Sequence, residues 1–358
     1  MCSLVPEAAS PSTSGLTWPT VLGPLVRGDD VGPEGAAWAM ERILAGDATA
    51  AQVAGFAVAL RAKGESVAEL TALADTMFAH ARRLEVSDRV VDIVGTGGDL
   101  AHTVNISTMS AVVIAGAGAG VVKHGNRAAS SSSGAADVLE ALGVRLDVPV
   151  ENVLDVYREA GITFCFAPLF HASFRHTAAP RRELGIPTPF NLLGPLTNPA
   201  RPAAMAVGCA DRRMAPVVAG VLAGRGTDAL VFRGDDGLDE ITVSTTTTAW
   251  VAAGGAVREA TIDPRALGLD LSPLEALRGG EPQENAAVFR RLLEGEPGAV
   301  RDAVLMNAAS ALAAHAGDLD DLDAAMARGI ERARESIDSG AASRVLQGWA
   351  EATRRHLP

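Results

Sequence analysis

Four polar segments of the sequence contain residue types that could bind an anion together with a metal ion. The first is the glycine-rich run GTGGD at residues 95–99, which follows the β-branched run at 90–94. Glycines let a backbone approach a ligand closely and direct its N–H groups at anionic oxygens. A plain tight turn is the alternative interpretation, since the run matches neither a dinucleotide-binding motif nor a P-loop.

The second segment, NIST, opens an apolar helical run with the polar residues Asn105, Ser107 and Thr108. Three polar side chains beside a glycine-rich loop are suited to phosphate oxygens or a metal ion, because a helix N-terminus attracts anions. Helix capping is the alternative, and it would explain one of the three.

The third segment is KHGNR at residues 123–127, which is followed by the serines 130–133 and Gly134. Only two of the 31 basic residues are lysines, and Lys123 is one of them. It ends a predicted strand, where open α/β sheets bind ligands, and a cation there can pair with phosphate. The alternative is a basic turn followed by a flexible serine linker.

The fourth segment contains the adjacent carboxylates of Asp239 and Glu240. Neighbouring carboxylates are suitable ligands for Mg²⁺, which keeps several of its waters. A solvated acidic turn is the alternative. The sequence has no competing His/Cys metal set, and His124 and His171, taken singly, are more typical of structural hydrogen-bonding residues.

The elements that must position these segments begin with a helical region from Trp18 to Leu84. Gly46 is placed to end one helix, Thr49 to start the next, and Ser66 with Glu69 forms a capping box, so we expect about four short helices. A bundle of this size is small for an independent core. We therefore expect it to pack on the rest of the chain or on a second subunit.

Beyond Val86 the pattern alternates between short strand-like runs and helical stretches, which predicts βαβ units and a mostly parallel sheet. The proline-rich segment 170–202 holds short helical pieces that could return to the helical domain and leave a cleft between the two domains. Residues 284–356 are helical again. The predicted strands are 90–94, 121–122, 162–167, 203–210 and 229–232, and the predicted helices between them include 135–142 and 151–160.

We predict three regions: a disordered tail at 1–16, a helical domain at 17–86 joined by helices from about 175–200, and an α/β catalytic domain at 87–358. The tail lacks the basic start and apolar run of a signal peptide. The uncharged run 104–122 is interrupted by polar residues and glycines, so a buried helix followed by a turn is expected instead of a membrane helix.

Composition excludes several classes of function. A net charge of −12 and a pI near 5.1 disfavour binding to nucleic acid or to membrane surfaces, both of which need clustered basic residues. The three cysteines have no metal-ligand spacing, which is typical of a reducing compartment, so we expect a cytoplasmic protein.

Taken in order, the motifs GTGGD, NIST, KHGNRAASS, FNLLGPLTNP at 190–199 and the Asp239-Glu240 pair resemble the anthranilate phosphoribosyltransferase family. The resemblance implies a nucleoside phosphorylase/phosphoribosyltransferase-like α/β fold, with a small N-terminal helical domain and a large domain built on a mostly parallel central sheet. It also implies a homodimer, Mg²⁺ as cofactor, and transfer of the phosphoribosyl group of phosphoribosyl diphosphate (PRPP) to anthranilate.

The resemblance assigns roles by position. Ser107, Asp239 and Glu240 would hold Mg²⁺, Lys123 would stabilise the leaving diphosphate, and Arg181 would orient the acceptor carboxylate. No covalent nucleophile is implied. The substrate-binding residues implied are Gly95, Gly98, Asp99, Thr103, Asn105, Ile106, Ser107, Thr108, Lys123, His124, Gly125, Asn126, Arg127, Ala128, Ala129, Ser130, Ser131, Ala135, His171 and Arg181.

The sequence departs from the family pattern at a few positions. Leu100 stands where glycine commonly follows the GTGGD aspartate, and Ala135 stands where a small hydroxyl residue is common. Ala172 replaces a common proline, and Pro187 replaces a common arginine. One phosphate contact is in question at Leu100 and another at Ala135.

Two other functions remain open from the residues. A pyrimidine nucleoside phosphorylase would share the architecture, but the carboxylate pair suits a diphosphate and Arg181 suits a carboxylated acceptor. A catalytically silent relative that binds nucleic acid would need a basic surface, and the acidic pI argues against one.

Overall fold

The computed structural model of the chain describes residues 15–127 and 132–357. The predicted tail at 1–16 therefore lies almost wholly outside the described residues. The N-terminal region forms four helices, as expected. They are α1 (Trp18–Val26), α2 (Gly32–Ala45), α3 (Ala50–Lys63) and α4 (Val67–Ala79).

The helix ends of this region are where local sequence signals place them. Gly46 closes α2 in the left-handed region with φ 80°, and the Thr49 side chain caps α3. Ser66 and Glu69 form the reciprocal capping box of α4, with the Glu69 N–H donating to Ser66 Oγ at 3.3 Å and the Ser66 N–H donating to Glu69 Oε2 at 2.9 Å. These predictions are confirmed.

A seven-stranded sheet forms the centre of the second domain, with the order β3-β2-β1-β4-β5-β6-β7. The pairs among the first five strands are parallel, and β6 and β7 add an antiparallel hairpin at one edge. The strands are β1 (Val90–Gly95), β2 (Gly120–Gly125), β3 (Ile162–Phe166), β4 (Ala204–Gly208), β5 (Asp228–Gly234), β6 (Thr247–Ala253) and β7 (Ala256–Ile262).

The expected α/β fold with a small helical domain and a mostly parallel sheet is confirmed, and the β6–β7 hairpin is an addition that the sequence analysis missed. Its turn is Gly254-Gly255, with φ 56° and 79°, which is a known hairpin signal. The remaining helices are α5 (Ile106–Gly116), α6 (Ala135–Ala141), α7 (Val153–Ala160), α8 (Ala167–Phe170), α9 (Ala178–Leu184), α10 (Phe190–Leu196), α11 (Ala215–Gly224), α12 (Pro282–Leu293), α13 (Ala299–Ala316), α14 (Leu322–Asp338) and α15 (Ala341–Arg355).

The uncharged run that could have suggested a membrane span is the buried helix α5. Its residues Val112, Val113 and Ile114 are fully buried between the sheet and helices α13 to α15. A helix covered on all sides can be apolar all round. Within the described residues, no helix combines the length and apolar character needed to cross a bilayer.

Helices α9 and α10 return to the N-terminal bundle, where α9 packs on α3 and α10 on α4. Leu193 of α10 shares one core with Phe56 of α3 and Val218 of α11. A single apolar layer therefore connects the helical bundle to one face of the sheet. The 190–199 segment leaves this layer along β2, where the Gly194 carbonyl lies 2.9 Å from His124 Nδ1 and Asn198 Nδ2 donates to the Val122 carbonyl at 2.7 Å.

Candidate functional site

The four polar segments meet at the carboxyl edge of the sheet. Gly95 at the end of β1 pairs with Gly208 at the end of β4, and Gly208 pairs in turn with Phe232 of β5. The GTGGD loop leaves β1 here, the KHGNR segment ends β2, and the acidic turn follows β5. This edge is where open α/β sheets bind ligands.

Asp239 contacts the glycine-rich loop directly. The Gly97 N–H donates to Asp239 Oδ2 at 2.7 Å. A Cβ added at Gly95 would collide with the Asp239 carboxylate, and one added at Gly208 would collide with its backbone carbonyl. Gly97 and Gly98 have φ 70° and 92°, so the tight-turn interpretation describes these two, whereas Gly95 is required for close approach.

Ser107 joins the lysine segment to the acidic turn. Lys123 Nζ donates to the Ile93 carbonyl at 2.5 Å and lies 3.4 Å from Ser107 Oγ, and the Ser107 N–H acts to lower the pKa of the Glu240 carboxyl against its burial. Lys123 is only 1% exposed. Burial lowers its pKa, while the negative charges of Asp92 and Glu240 act in the opposite direction.

The two buried carboxylates have high proton affinity. Burial and the neighbouring charge of Asp239 raise the pKa of Glu240 well above its usual range. Burial, and then the charge of Asp99, raise the pKa of Asp239 to about 7. Two buried carboxylates repel each other when both are ionised, and a divalent cation between them offsets that repulsion. Their oxygens and the Ser107 hydroxyl are hard donors of the kind that Mg²⁺ prefers, so Ser107, Asp239 and Glu240 fit Mg²⁺.

No three His, Cys, Asp or Glu side chains gather into a metal site among residues 15–127 and 132–357. A cation held at Asp239 and Glu240 would therefore take few ligands from protein carboxylates. Mg²⁺ commonly binds in this way, with waters and substrate phosphates completing its octahedron.

The structure supports the roles implied for the residues of the NIST segment to different degrees. Asn105 occupies the N-cap of α5 without a side-chain capping bond, so the capping interpretation does not describe it. Ile106 is in the core and its N–H donates to the Val104 carbonyl at 2.7 Å, so the contact implied for it has no free N–H. Thr108 is 1% exposed, and within the described residues its Oγ1 has no hydrogen-bond partner. The roles implied for Ile106 and Thr108 would require local movement.

Thr103 and Asp99 lie at the glycine-rich loop itself. Asp99 Oδ1 accepts the N–H of Ala101 at 3.2 Å, and Thr103 pairs through its backbone with Arg278. Leu100, between them, is 69% exposed and has φ 60°, a left-handed conformation that glycine adopts without strain. The family's usual glycine at this position has a physical reason.

His124 and His171 form a buried pair with ring centroids 5.1 Å apart. His124 Nδ1 lies 2.9 Å from the Gly194 carbonyl, and His171 Nε2 lies 2.9 Å from the Thr197 carbonyl. Burial lowers the pKa of His124 to about 3 and that of His171 to about 4, so both rings are neutral. The pair anchors the 190–199 segment, as the structural interpretation expects.

Arg181 and Arg127 differ in their partners. Arg127 forms ion pairs with Asp137 at 3.0 Å and Glu140 at 2.6 Å, so its guanidinium is bound to helix α6. Arg181 on α9 is half-buried over the Phe174 ring at 5.6 Å, and burial lowers its pKa. It forms no ion pair within the described residues. Arg181 is therefore the better placed of the two to receive a carboxylate.

The serine segment is only partly described. Ala128, Ala129, Ser130 and Ser131 lie outside the described residues. Directly before these residues in the chain, Asn126 Oδ1 accepts the Arg127 N–H at 2.8 Å. Gly125 ends β2 and Ala135 begins α6, and both are partly exposed.

Asp92 and Asn307 are buried polar residues near the site that the sequence did not single out. Asp92, in the middle of β1, accepts the His124 N–H at 3.3 Å and the Asn198 amide at 2.8 Å. Burial raises its pKa to about 6, with Lys123 acting in the opposite direction. A single charged residue inside an apolar strand is costly to bury. Its presence in the run 90–94 could have identified Asp92 from the sequence.

Asn307 of α13 is the second of these residues. Its Oδ1 accepts the Ile241 N–H at 3.0 Å, and its Nδ2 donates to the Ile241 carbonyl at 2.9 Å. It is fully buried. This two-point contact fixes the backbone directly after Glu240.

Known proteins share this organisation. The helical bundle domain of the glycosyl transferase family matches residues 19–81, and the a/b domain of that family matches residues 87–343. The anthranilate phosphoribosyltransferase of Nocardioides sp. is 60% identical over 339 residues, which cover 95% of this chain and 99% of that protein. The chain belongs to the anthranilate phosphoribosyltransferase family.

Other members of the anthranilate phosphoribosyltransferase family agree in sequence and structure. The Streptomyces griseus protein is 59% identical over 342 residues, covering 96% of this chain and 97% of its own length. The crystal structure of the Thermus thermophilus protein has a TM-score of 0.87 at 39% identity and covers 94% of this chain and 99% of its own. The Saccharomyces cerevisiae protein in complex with PRPP and Mg has a TM-score of 0.86 at 28% identity, covering 96% and 99%.

Proposed function

We propose that this chain transfers the phosphoribosyl group of PRPP to the amine of anthranilate, giving N-(5-phosphoribosyl)anthranilate and diphosphate in tryptophan biosynthesis. The observation that supports this most is the convergence of the GTGGD loop, Ser107, Lys123 and the Asp239-Glu240 pair at one edge of the sheet. A family member from Saccharomyces cerevisiae in complex with 4-fluoroanthranilate supports the acceptor.

In this proposal Ser107, Asp239 and Glu240 hold Mg²⁺, and Gly98, Asp99 and their neighbours bind the phosphates of PRPP. The cation supplies positive charge to the diphosphate oxygens as the bond to the ribose breaks. The backbone N–H groups of the glycine-rich loop are fixed in place before the reaction, so they stabilise the leaving group without reorganising.

Lys123 contributes a buried positive charge beside the leaving group. Its bonds to Ile93 and Ser107 use two of the three ammonium hydrogens and hold the charge in one position. Because the surroundings are poor in water, this charge acts more strongly than an exposed one.

The acceptor side is assigned to Arg181 and Asn126, with the neutral rings of His124 and His171 beside its path. Arg181 pairs with the anthranilate carboxylate and directs the amine at C1 of the ribose. The arylamine is already a usable nucleophile, so attack proceeds with inversion and without a covalent enzyme intermediate.

We also propose a cytoplasmic homodimer joined through the helical domain. The exposed side chains of Val26 (77%) and Val58 (39%) support this, because they leave apolar surface on α1 and α3. Light scattering of the purified protein tests the dimer: a monomer at micromolar concentration contradicts it.

The reaction is tested by mixing the protein with anthranilate, PRPP and Mg²⁺ and following anthranilate fluorescence. The proposal expects a loss of fluorescence that requires all three components. Asp239→Asn should abolish it, while Asp318→Asn, which replaces an exposed carboxylate near the opposite, amino edge of the sheet, should not. Release of a pyrimidine base from a nucleoside and phosphate, with no anthranilate consumption, would instead identify a phosphorylase.

A further inference from the structure

A chain of three partly buried amide contacts links α12 to the start of α5 and to Ser133. Asn285 Oδ1 accepts the Gly280 N–H at 2.8 Å, and Asn285 Nδ2 donates to Asn105 Oδ1 at 2.9 Å. Asn105 Nδ2 donates to the Ser133 carbonyl at 3.0 Å. Asn285 is 2% exposed and lies 180 positions along the chain from Asn105.

The orientation of both amides follows from groups whose roles are fixed. A backbone N–H can only donate, so the Asn285 atom facing Gly280 is the oxygen, and its NH₂ group faces Asn105. A carbonyl can only accept, so the Asn105 atom facing Ser133 is the nitrogen, and its oxygen faces Asn285. The two ends require the same arrangement.

The segment that carries Asn285 also braces the backbone between the glycine-rich loop and α5. The Val104 N–H donates to the Leu277 carbonyl at 2.9 Å, and the Gly279 N–H donates to the His102 carbonyl at 2.8 Å. A Cβ at Gly279 would collide with the backbone of residues 103–104. Residues 277–285 therefore support the backbone from which Asn105 projects.

We propose that Asn285 is a positioning residue for PRPP binding: it sets the orientation of the Asn105 amide and, through it, the position of Ser133. This rests on the proposed function, in which Asn105 belongs to the PRPP site. Asn285 does not itself contact the substrate. Asn285→Asp, which keeps the bond to the Gly280 N–H, should change the site only through Asn105.

Asn285→Asp separates this role from simple packing. The carboxylate still accepts the Gly280 N–H, but it presents an oxygen to Asn105 Oδ1, so the Asn105 amide turns over and loses the Ser133 carbonyl. We expect the KM for PRPP to rise about tenfold, with kcat and the KM for anthranilate within about twofold of wild type.

The matched control is Asn152→Asp, which removes an amide donor to the His356 carbonyl at 3.1 Å, away from the site. It should leave all kinetic constants unchanged. A double-mutant cycle then compares Asn285→Asp in the wild-type and Asn105→Ala backgrounds. If Asn285 acts through Asn105, it should have less than about twofold effect on the KM for PRPP once Asn105 is gone.

A tenfold effect that persists in the Asn105→Ala background would overturn the proposal, as would a wild-type KM for PRPP in the single variant. If Asn285→Asp does not fold, Asn285→Ser goes through the same cycle. Amide hydrogen exchange of residues 132–137 gives a readout independent of turnover: Asn285→Asp should accelerate it and Asn152→Asp should not. A wild-type protein that does not transfer phosphoribosyl groups refutes the proposed function, and the exchange measurement still decides the role of Asn285.

Discussion

Gly208 ends β4 directly against the backbone of Asp239. A side chain at residue 208 would meet the Asp239 carbonyl instead of a flexible group. β4 is paired on both sides, and the Gly208 carbonyl accepts the Thr96 N–H at 2.9 Å, so the strand resists movement. Gly208→Ala should therefore displace the segment that carries Asp239 and Glu240.

The size of the effect follows from this overlap. Relief of the overlap requires a shift of ~1.5 Å, since nonbonded atoms do not approach closer than about 3 Å. Mg²⁺ demands near-octahedral geometry, and a misplacement of about 1 Å can cost on the order of 100-fold in rate. The 2.7 Å bond from Gly97 to Asp239 is also disturbed. We expect the half-saturating Mg²⁺ concentration to rise at least about tenfold and stability to fall by about 1–3 kcal/mol.

The assay is the initial rate of anthranilate fluorescence loss across a Mg²⁺ titration at fixed PRPP, together with urea unfolding. Gly224→Ala on α11 is the control, because an added Cβ there meets no atom within 4 Å. It should retain the wild-type Mg²⁺ dependence and be equally stable or up to about 1 kcal/mol more stable. A folded Gly208→Ala protein with wild-type Mg²⁺ dependence would refute the assignment of Asp239 and Glu240 to the metal.

Three further predictions concern Arg181, Leu100 and His171. Arg181→Ala should raise the KM for anthranilate about 10- to 100-fold and leave that for PRPP unchanged, while exposed Arg182→Ala should change neither; an unchanged anthranilate KM would exclude the carboxylate role. Leu100→Gly should relieve the left-handed backbone at φ 60° and stabilise the protein by up to about 1 kcal/mol in urea unfolding, whereas a loss of stability would contradict the strain. His171 has a folded pKa of about 4, below its unfolded value, so its buried neutral ring loses stabilising effect as pH falls from about 6.5 towards 4. The stability advantage of wild type over His171→Gln should accordingly shrink by about 2 kcal/mol between pH 7 and 5, and a constant advantage would show that folding does not lower the pKa of His171.

The sequence predicted the helix ends of the N-terminal region, because each depends on hydrogen bonds between residues close together in the chain. Thr49, Ser66 and Gly46 mark helix ends through bonds to residues a few positions away, so one sequence suffices to locate them. The β6–β7 hairpin was missed although Gly254-Gly255 is a turn signal, because its second strand is mostly exposed and so lacks the apolar run of a buried strand.

The residue types at the site could be predicted from the sequence, but the contacts between distant residues could not. The motifs containing Gly95, Lys123 and Asp239 could be selected from residue type and position after strands. The contacts of Asn285 with Asn105 and of Asn307 with Ile241 join residues 180 and 66 positions apart. No local pattern determines which distant element packs beside a loop. These buried amides appear in the sequence only as isolated polar residues in helices.

In the proposed function, separate loops form a single metal and diphosphate site at the carboxyl edge of the sheet. The most direct measurement is anomalous diffraction from crystals grown with PRPP and Mn²⁺, which substitutes for Mg²⁺ at oxygen sites. We expect an anomalous peak within coordination distance of Asp239 or Glu240 and close to Ser107, with PRPP phosphate density reaching the glycine-rich loop. A peak elsewhere, with PRPP density away from Gly98, would contradict it.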